Sequence, residues 1–180
     1  MPFVVHFKIY EPGKDAPCFT TSDRKLAYVE WNARKSKYGG DPMVRIVPDV
    51  TYIAGNSQDE YVWLVYRVIK AIRKYYDERY VVPKEQSSEN LRVSLALEKE
   101  LDRKNASTRV YINQHPNMKP DNEAAFAFFE VVEAWRKRWH EYFIYKKQSD
   151  KDPNWEKKLR DDCFAMETEI KKYIRHIIGL

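Results

Sequence analysis

The residue types best suited to recognition chemistry lie closest together between Glu133 and Lys147. The run is Glu-Ala-Trp-Arg-Lys-Arg-Trp-His-Glu-Tyr-Phe-Ile-Tyr-Lys-Lys. Trp, Tyr and Arg are the types enriched in interface hot spots, and aromatic rings beside cations can also stack on nucleobases. Laid on a helix, Trp135, Trp139, Tyr142 and Phe143 share one face. They continue an apolar stripe of Ala125, Phe128, Phe129 and Val132, which is how a core face reads. Glu133, Lys137 and Glu141 alternate in sign on another face, the pattern of a solvated helix surface. Packing therefore accounts for most of the run. What it leaves over is a smaller cluster, Arg136, Arg138, Tyr145, Lys146 and Lys147, which is the first candidate binding surface.

A second candidate is the row Arg67, Lys70, Arg73 and Lys74, continued by Arg79, on a helix that begins at Ser57. Such a row could contact phosphates, and it also reads as an ordinary solvated face. Catalytic signatures are weaker. His6, His115, His140 and His176 stand at no metal-ligand spacing. Of the four, His115 is the best placed for catalysis, in a loop with two prolines, with Arg109 or Lys119 nearby to hold a phosphorylated substrate. Asp161, Asp162, Glu167 and Glu169 fall on the final helix and read as ion-pair partners of Lys157, Lys158, Lys171 and Lys172. Gly-rich phosphate loops, dinucleotide fingerprints and nucleophile elbows are all absent. No catalytic residue, metal ligand or cofactor is assigned, and the chain reads as a binder rather than an enzyme.

The elements that must position these residues are well punctuated. Residues 3–10 alternate and are rich in β-branched and aromatic types, which predicts a strand. Thr20–Asp23 predicts a helix start, with Leu26, Val29 and Ala33 as its apolar stripe and Tyr38-Gly-Gly-Asp-Pro42 as its stop. Met43–Val47 and Val50–Ile53 read as strand, interrupted by Pro48-Asp49 at an edge position or kink. Ser57-Gln-Asp-Glu60 is a capping box. It opens a helix to about Tyr80, with Tyr61, Val65, Val68, Ile69, Ile72 and Tyr76 on one face. After Pro83, a helix capped by Ser87 or Ser88 should run to about Lys104, with Leu91, Leu95, Glu98 and Leu101 aligned. Arg109–Asn113 reads as a third strand. Asp121 caps a long helix. Pro153 then opens the last one, whose stripe is Trp155, Leu159, Cys163, Met166, Ile170, Ile174 and Ile177 and which ends at Gly179.

The expected order is β-α-β-α-α-β-α-α. The fold class is α+β and helix-rich: a small three-stranded sheet covered by helices, with a long antiparallel C-terminal αα-hairpin. The division expected is an α+β domain over 1–118 with a helical hairpin over 119–180 packed on it, or one domain over 1–180.

Composition bounds the partner. The chain has 180 residues, 32 Lys and Arg against 27 Asp and Glu, and a formal charge of +5. That excess favours acidic partners but is small for a dedicated nucleic-acid coat. Cys18 and Cys163 read as two free thiols, so no disulfide framework is indicated. No secretion signal or membrane span is evident, and a cytoplasmic location is expected.

The opening Pro2–Gly13 and the later Tyr28–Arg34 resemble the first strand and helix of some plasmid-mobilisation relaxases. Those enzymes need a histidine cluster on a strand and a nucleophilic tyrosine. The cluster is missing here, so neither residue nor activity is carried over.

The function these readings support is a non-enzymatic protein that engages a macromolecular partner through a basic-aromatic helical surface. Small proteins of this kind are often inhibitors or accessory factors of viruses or mobile elements. A protein partner is favoured over nucleic acid, because the charge excess is small. Nucleic-acid binding is the alternative, and a small enzyme acting on a phosphorylated substrate is the second alternative.

Overall fold

The computed structural model describes residues 2–76, 84–115 and 123–180. The chain forms two compact units. One runs up to Asn56 and includes Arg175–Leu180, and the other spans Ser57–Ile174.

The first unit is a small sheet with one helix of its own. Strands β1 (Phe3–Tyr10), β2 (Phe19–Thr21) and β3 (Arg45–Tyr52) lie in the order β2-β1-β3, both pairings antiparallel. Alternation along β1 buries Phe3, Phe7 and Ile9 and exposes His6. β3 passes through Pro48 without interruption, with Pro48 opposite Phe7. Among the described residues β3 has a sheet neighbour on one side only. A residue without an N–H is tolerated at such an edge.

Helix α1 (Arg24–Lys37) is capped by Asp23, whose carboxylate accepts from the Lys25 and Leu26 amides at 2.8 and 3.1 Å. Thr20 and Thr21, expected to begin this helix, belong to β2 instead. The helix stops where Gly39 and Gly40 adopt φ of 61° and 83°, a left-handed conformation that costs glycine little.

The stripe expected to bury α1 faces water instead. Leu26, Val29 and Ala33 are exposed, while Ala27 is buried and Trp31 and Arg34 are half-buried. Polar anchoring explains the rotation. Trp31 Nε1 donates to the Val44 carbonyl at 2.9 Å. Arg34 reaches Glu11 and Glu30 and lies over the Phe19 ring at 5.4 Å.

The second unit is built from α2 (Ser57–Tyr76), α3 (Lys84–Gln114), α4 (Glu123–Lys146) and the body of α5 (Pro153–Ile178). Cross-contacts fix the direction of each neighbour. Arg136 of α4 meets Glu98 of α3, while Arg109 of α3 meets Glu130 of α4. Phe128 stacks on Tyr173 at 4.2 Å and Arg138 reaches Asp162 at 3.5 Å, so α4 and α5 form the expected antiparallel hairpin. Gln58 bonds Tyr173 and Arg73 bonds Glu167, each at 2.9 Å, which sets α2 antiparallel to α5. Tyr61 Oη donates to Asn105 across α2 and α3 at 2.7 Å. The result is an up-down-up-down four-helix bundle. Up to Ile174 the hairpin lies in the same unit as α2 and α3.

The core of this bundle contains Val62, Val65, Val68 and Ile72 of α2 and Leu97 and Leu101 of α3. Phe128, Val132, Trp135 and Trp139 of α4 and Leu159, Cys163 and Ile170 of α5 complete it.

Two expectations about α3 fail. Arg109–Asn113 is not a strand but the last full turn of a 31-residue helix. The β-branched and aromatic run Val110-Tyr-Ile suits a strand locally, yet Arg109 is clasped by Glu130 and Glu133 of α4, which holds the segment helical. The third strand of the sheet is Phe19–Thr21. Ser87 and Ser88 do not cap α3 but lie inside it, and the Ser88 hydroxyl donates back to the Lys84 carbonyl at 3.1 Å. The break at Pro83 and the cap at Asp121 lie outside the described residues. Among the described residues no helix is long and apolar enough to cross a membrane.

Candidate functional site

The aromatic face of α4 is core. Trp135 is fully buried and Trp139 nearly so, with rings 6.4 Å apart. The basic cluster beside it is mostly spoken for. Arg136 is 2% exposed. Its Nε and Nη2 donate to Asp102 at 2.9 and 3.1 Å, and its Nη1 donates to Glu98 at 3.1 Å. Arg138 bonds Glu141 at 2.7 Å and reaches Asp162. The Tyr145 hydroxyl accepts from the Asp152 amide at 2.7 Å, tying the end of α4 to the start of α5. Lys146 and Lys147 remain in solvent, and among the described residues neither ammonium makes an ion pair.

The same two lysines border a groove between α3 and α4. It arises because α3 turns a polar face inward. Its buried residues are Asn90, Ser94, Leu97, Glu98, Leu101 and Asn105. Each polar member has a partner, Asn90 through its Oδ1 alone. Ser94 Oγ donates to Glu98 at 2.6 Å, Gln86 donates to Asn90 at 3.2 Å, and Asn105 accepts from Tyr61. This register rolls Leu91 to a half-buried position and leaves Leu95 44% exposed. Leu91, Leu95 and Phe143 line a cavity of about 920 Å³ together with Tyr75 of α2, His140, Lys146 and Lys147.

Charge within the groove is positive. Glu98 is consumed by Arg136 and Ser94. His140 Nε2 lies 3.1 Å from Asp102. Burial alone would raise the Asp102 carboxyl, but the hydrogen bonds and charge of Arg136, with His140 behind them, outweigh it and hold the group below its ordinary range.

On α2 the expected row separates. Arg73 turns away to bond Glu167, which is 1% exposed, and its guanidinium lies 4.5 Å from the Phe164 ring. Arg67, Lys70 and Lys74 are exposed. Arg79 lies outside the described residues. Beside the three cations, Trp63 stacks on Tyr66 with centroids 5.5 Å apart and planes 17° from parallel.

The catalytic candidates do not converge. His115 is exposed, with its ring on Tyr111 at 4.4 Å and Nδ1 3.0 Å from the Tyr111 carbonyl. Arg109 is committed to Glu130 and Glu133 and lies over Phe129 at 5.1 Å. Lys119 lies outside the described residues. Among the described residues no group of three or more His, Cys, Asp and Glu side chains is placed to hold a metal.

The sequence pattern aligns Leu91 and Leu95 with Glu98 and Leu101 on one face of α3, and places Trp63 and Tyr66 on no surface. A signal for the first pair lay in the alternative spacing of Ser94, Leu97, Glu98, Leu101 and Asn105, a second face at helical period. For Trp63 the signal was its register with Arg67, Lys70 and Lys74. No protein-family model matches the chain, and no curated protein or solved structure matches it either.

Proposed function

We propose that this is a non-enzymatic binding protein. Its four-helix bundle receives an acidic, amphipathic segment of a protein partner in the α3–α4 groove. The observation that carries this reading is an apolar floor, Leu91, Leu95 and Phe143, bordered by Lys146 and Lys147 with no ion pair among the described residues. A segment with apolar side chains on one face would fill the floor, and its flanking Asp or Glu would meet the lysines. In the cytoplasm such a protein would act as an inhibitor or accessory factor of the partner, as proteins of viruses and mobile elements often do.

The test is a displayed random-peptide library panned on the protein and counter-selected on Leu95→Glu. Enriched sequences should combine apolar anchors at helical spacing with acidic flanks. They should lose binding in Leu95→Glu and weaken in the double variant Lys146→Ala, Lys147→Ala. Enrichment of basic peptides, or equal binding to Leu95→Glu, would sink the reading. Because Leu95 is exposed, the variant bundle should fold normally, which circular dichroism checks.

A further inference from the structure

A second cavity, of about 280 Å³, opens between α2, α3 and α4 at the other end of the bundle. Along α3, Thr108 stands about 20 Å beyond Leu95 at 1.5 Å per residue, so this cavity is distinct from the α3–α4 groove. Small side chains account for it. Ser57 starts α2, and Ala125 lies in the first turn of α4. Thr108 continues the inward face of α3 beyond Leu101 and Asn105, at helical spacing. None of the three is large enough to fill the space where the helices converge.

The walls around that space are apolar and mostly aromatic. They are Ile112 of α3, Phe126 and Phe129 of α4, and the ring of Tyr61, 6.1 Å from that of Phe129. The Tyr61 hydroxyl is already taken by Asn105, so Tyr61 offers its ring and not its oxygen. A cavity of about 150 Å³ holds one benzene, so this one suits roughly a dozen non-hydrogen atoms. Three rings around it favour a flat aromatic guest, which can meet them face-offset or edge-on.

One border of the cavity is cationic. Lys104 lies one turn before Thr108 on the same face of α3, which sets an ammonium beside a hydroxyl. Among the described residues Lys104 enters no ion pair, and the pairs of α3 fall to Arg92, Glu98, Asp102 and Arg109. The α4 acids on this flank, Glu130 and Glu133, are both held by Arg109. An apolar pocket with a few convergent polar groups between bundle helices is the usual form of a small-molecule site.

We propose that this cavity binds a free aromatic monocarboxylate of about a dozen non-hydrogen atoms. Its ring lies among Phe126, Phe129 and Tyr61, and its carboxylate meets Lys104 and the Thr108 hydroxyl. The site does not depend on the α3–α4 groove.

Titration with 3-phenylpropanoate, followed by calorimetry and by methyl resonances, tests it. Binding should show a Kd of about 1 mM or tighter, as expected of a ligand this size. The methyls of Ile112 and Ala125 should shift, and those of Leu91 and Leu95 should not. 3-Phenylpropanamide should bind roughly two- to fivefold more weakly, the worth of one partly exposed ion pair. Octanoate should also bind more weakly, and 3-phenylpropylamine more weakly still. In Lys104→Met, whose side chain is exposed and suits a helix, acid and amide should bind alike. Ala125→Phe should fill the cavity and abolish binding, with circular dichroism checking the fold. Absence of binding at several millimolar, or shifts at Leu91 and Leu95 in place of Ile112 and Ala125, would overturn the proposal. So would an amide, amine or octanoate that binds the parent as tightly as the acid, or a folded Ala125→Phe that binds as the parent does. If Ala125→Phe does not fold, the acid-to-amide ratio in Lys104→Met decides, and a ratio unchanged from the parent's sinks the site.

Discussion

Arg136 grips both carboxylate oxygens of Asp102 across the α3–α4 interface, Nε to Oδ1 at 2.9 Å and Nη2 to Oδ2 at 3.1 Å. A third contact runs from its Nη1 to Glu98 at 3.1 Å. Glu98 is itself 8% exposed and accepts from the fully buried Ser94. The guanidinium therefore hydrogen-bonds two carboxylates at a seam where α3 has little apolar surface to offer. Removing one partner of a buried ion pair is costly, because the other is left charged and unmatched. Arg136→Met should destabilise the bundle by about 3–5 kcal/mol. Adding Glu98→Gln should recover part of that loss. Denaturant midpoints at constant m-value measure both.

Asp102 also sets an acid limit on the bundle. Its carboxyl is held below the ordinary value of 3.8, chiefly by the Arg136 bonds and charge acting against the cost of burial. A group whose folded value is depressed contributes stability that is present above its unfolded value. The contribution is lost as pH falls through the folded one. Stability should thus decline as pH is lowered below about 4, and the decline should be shallower in Asp102→Asn. Equal slopes for the parent and Asp102→Asn in acid titrations of thermal midpoint would show that the pair contributes nothing to the decline.

The stripe on α1 invites a direct contrast. Val29 is 63% exposed and Leu26 43%, whereas Leu101 on α3 is fully buried. Val29→Lys and Leu26→Lys should each change stability by no more than about 0.5 kcal/mol, as substitutions at open surface do. Leu101→Ala should cost roughly 2–5 kcal/mol through lost burial and the cavity left behind. Chemical denaturation of the three variants decides it, and a large loss in Val29→Lys would mean that the stripe is packed after all.

What the sequence made legible followed from how strongly each signal was local. β1 reads from alternation, the start of α2 from the polar run that opens at Ser57, and α5 from Pro153 and Gly179, all of which act within a turn or a strand of themselves. Trp135 and Trp139 read as an extension of the Phe128–Val132 stripe and are buried with it, because large aromatics at helical spacing leave few other places to go. The errors share a different origin. Leu26, Val29, Leu91 and Leu95 are apolar at helical spacing, yet a competing face of each helix is held by polar contacts from other elements. Trp31 reaches the Val44 carbonyl, and Glu98 reaches Arg136. Arg109–Asn113 looks like strand until Glu130 and Glu133 are seen to clasp its first residue. Pairings separated by 13 to 38 residues decide these rotations, and a period count along one segment does not contain them. For the same reason the groove was invisible: its floor is made of residues that the apolar pattern alone assigns to the interior.

The two thiols should report separately on the two units. Cys163 lies fully buried on α5 in the bundle, and burial pushes its thiol up to about 12. Cys18 belongs to the sheet unit, is half-buried, and donates from Sγ to the Ile9 carbonyl at 3.2 Å. Because the thiolate is the reactive species, Cys163 is protected twice, by access and by a thiolate fraction on the order of 10⁻⁴ at about pH 8. A thiol reagent added to the native protein at that pH should label one cysteine, Cys18. In the Cys18→Ser variant labelling should await opening of the bundle. Its rate should then track stability across Arg136→Met and Leu101→Ala, with faster modification in the less stable variants. Prompt labelling of Cys163 in native Cys18→Ser would show that the α5 face is open and would contradict the core described for the bundle.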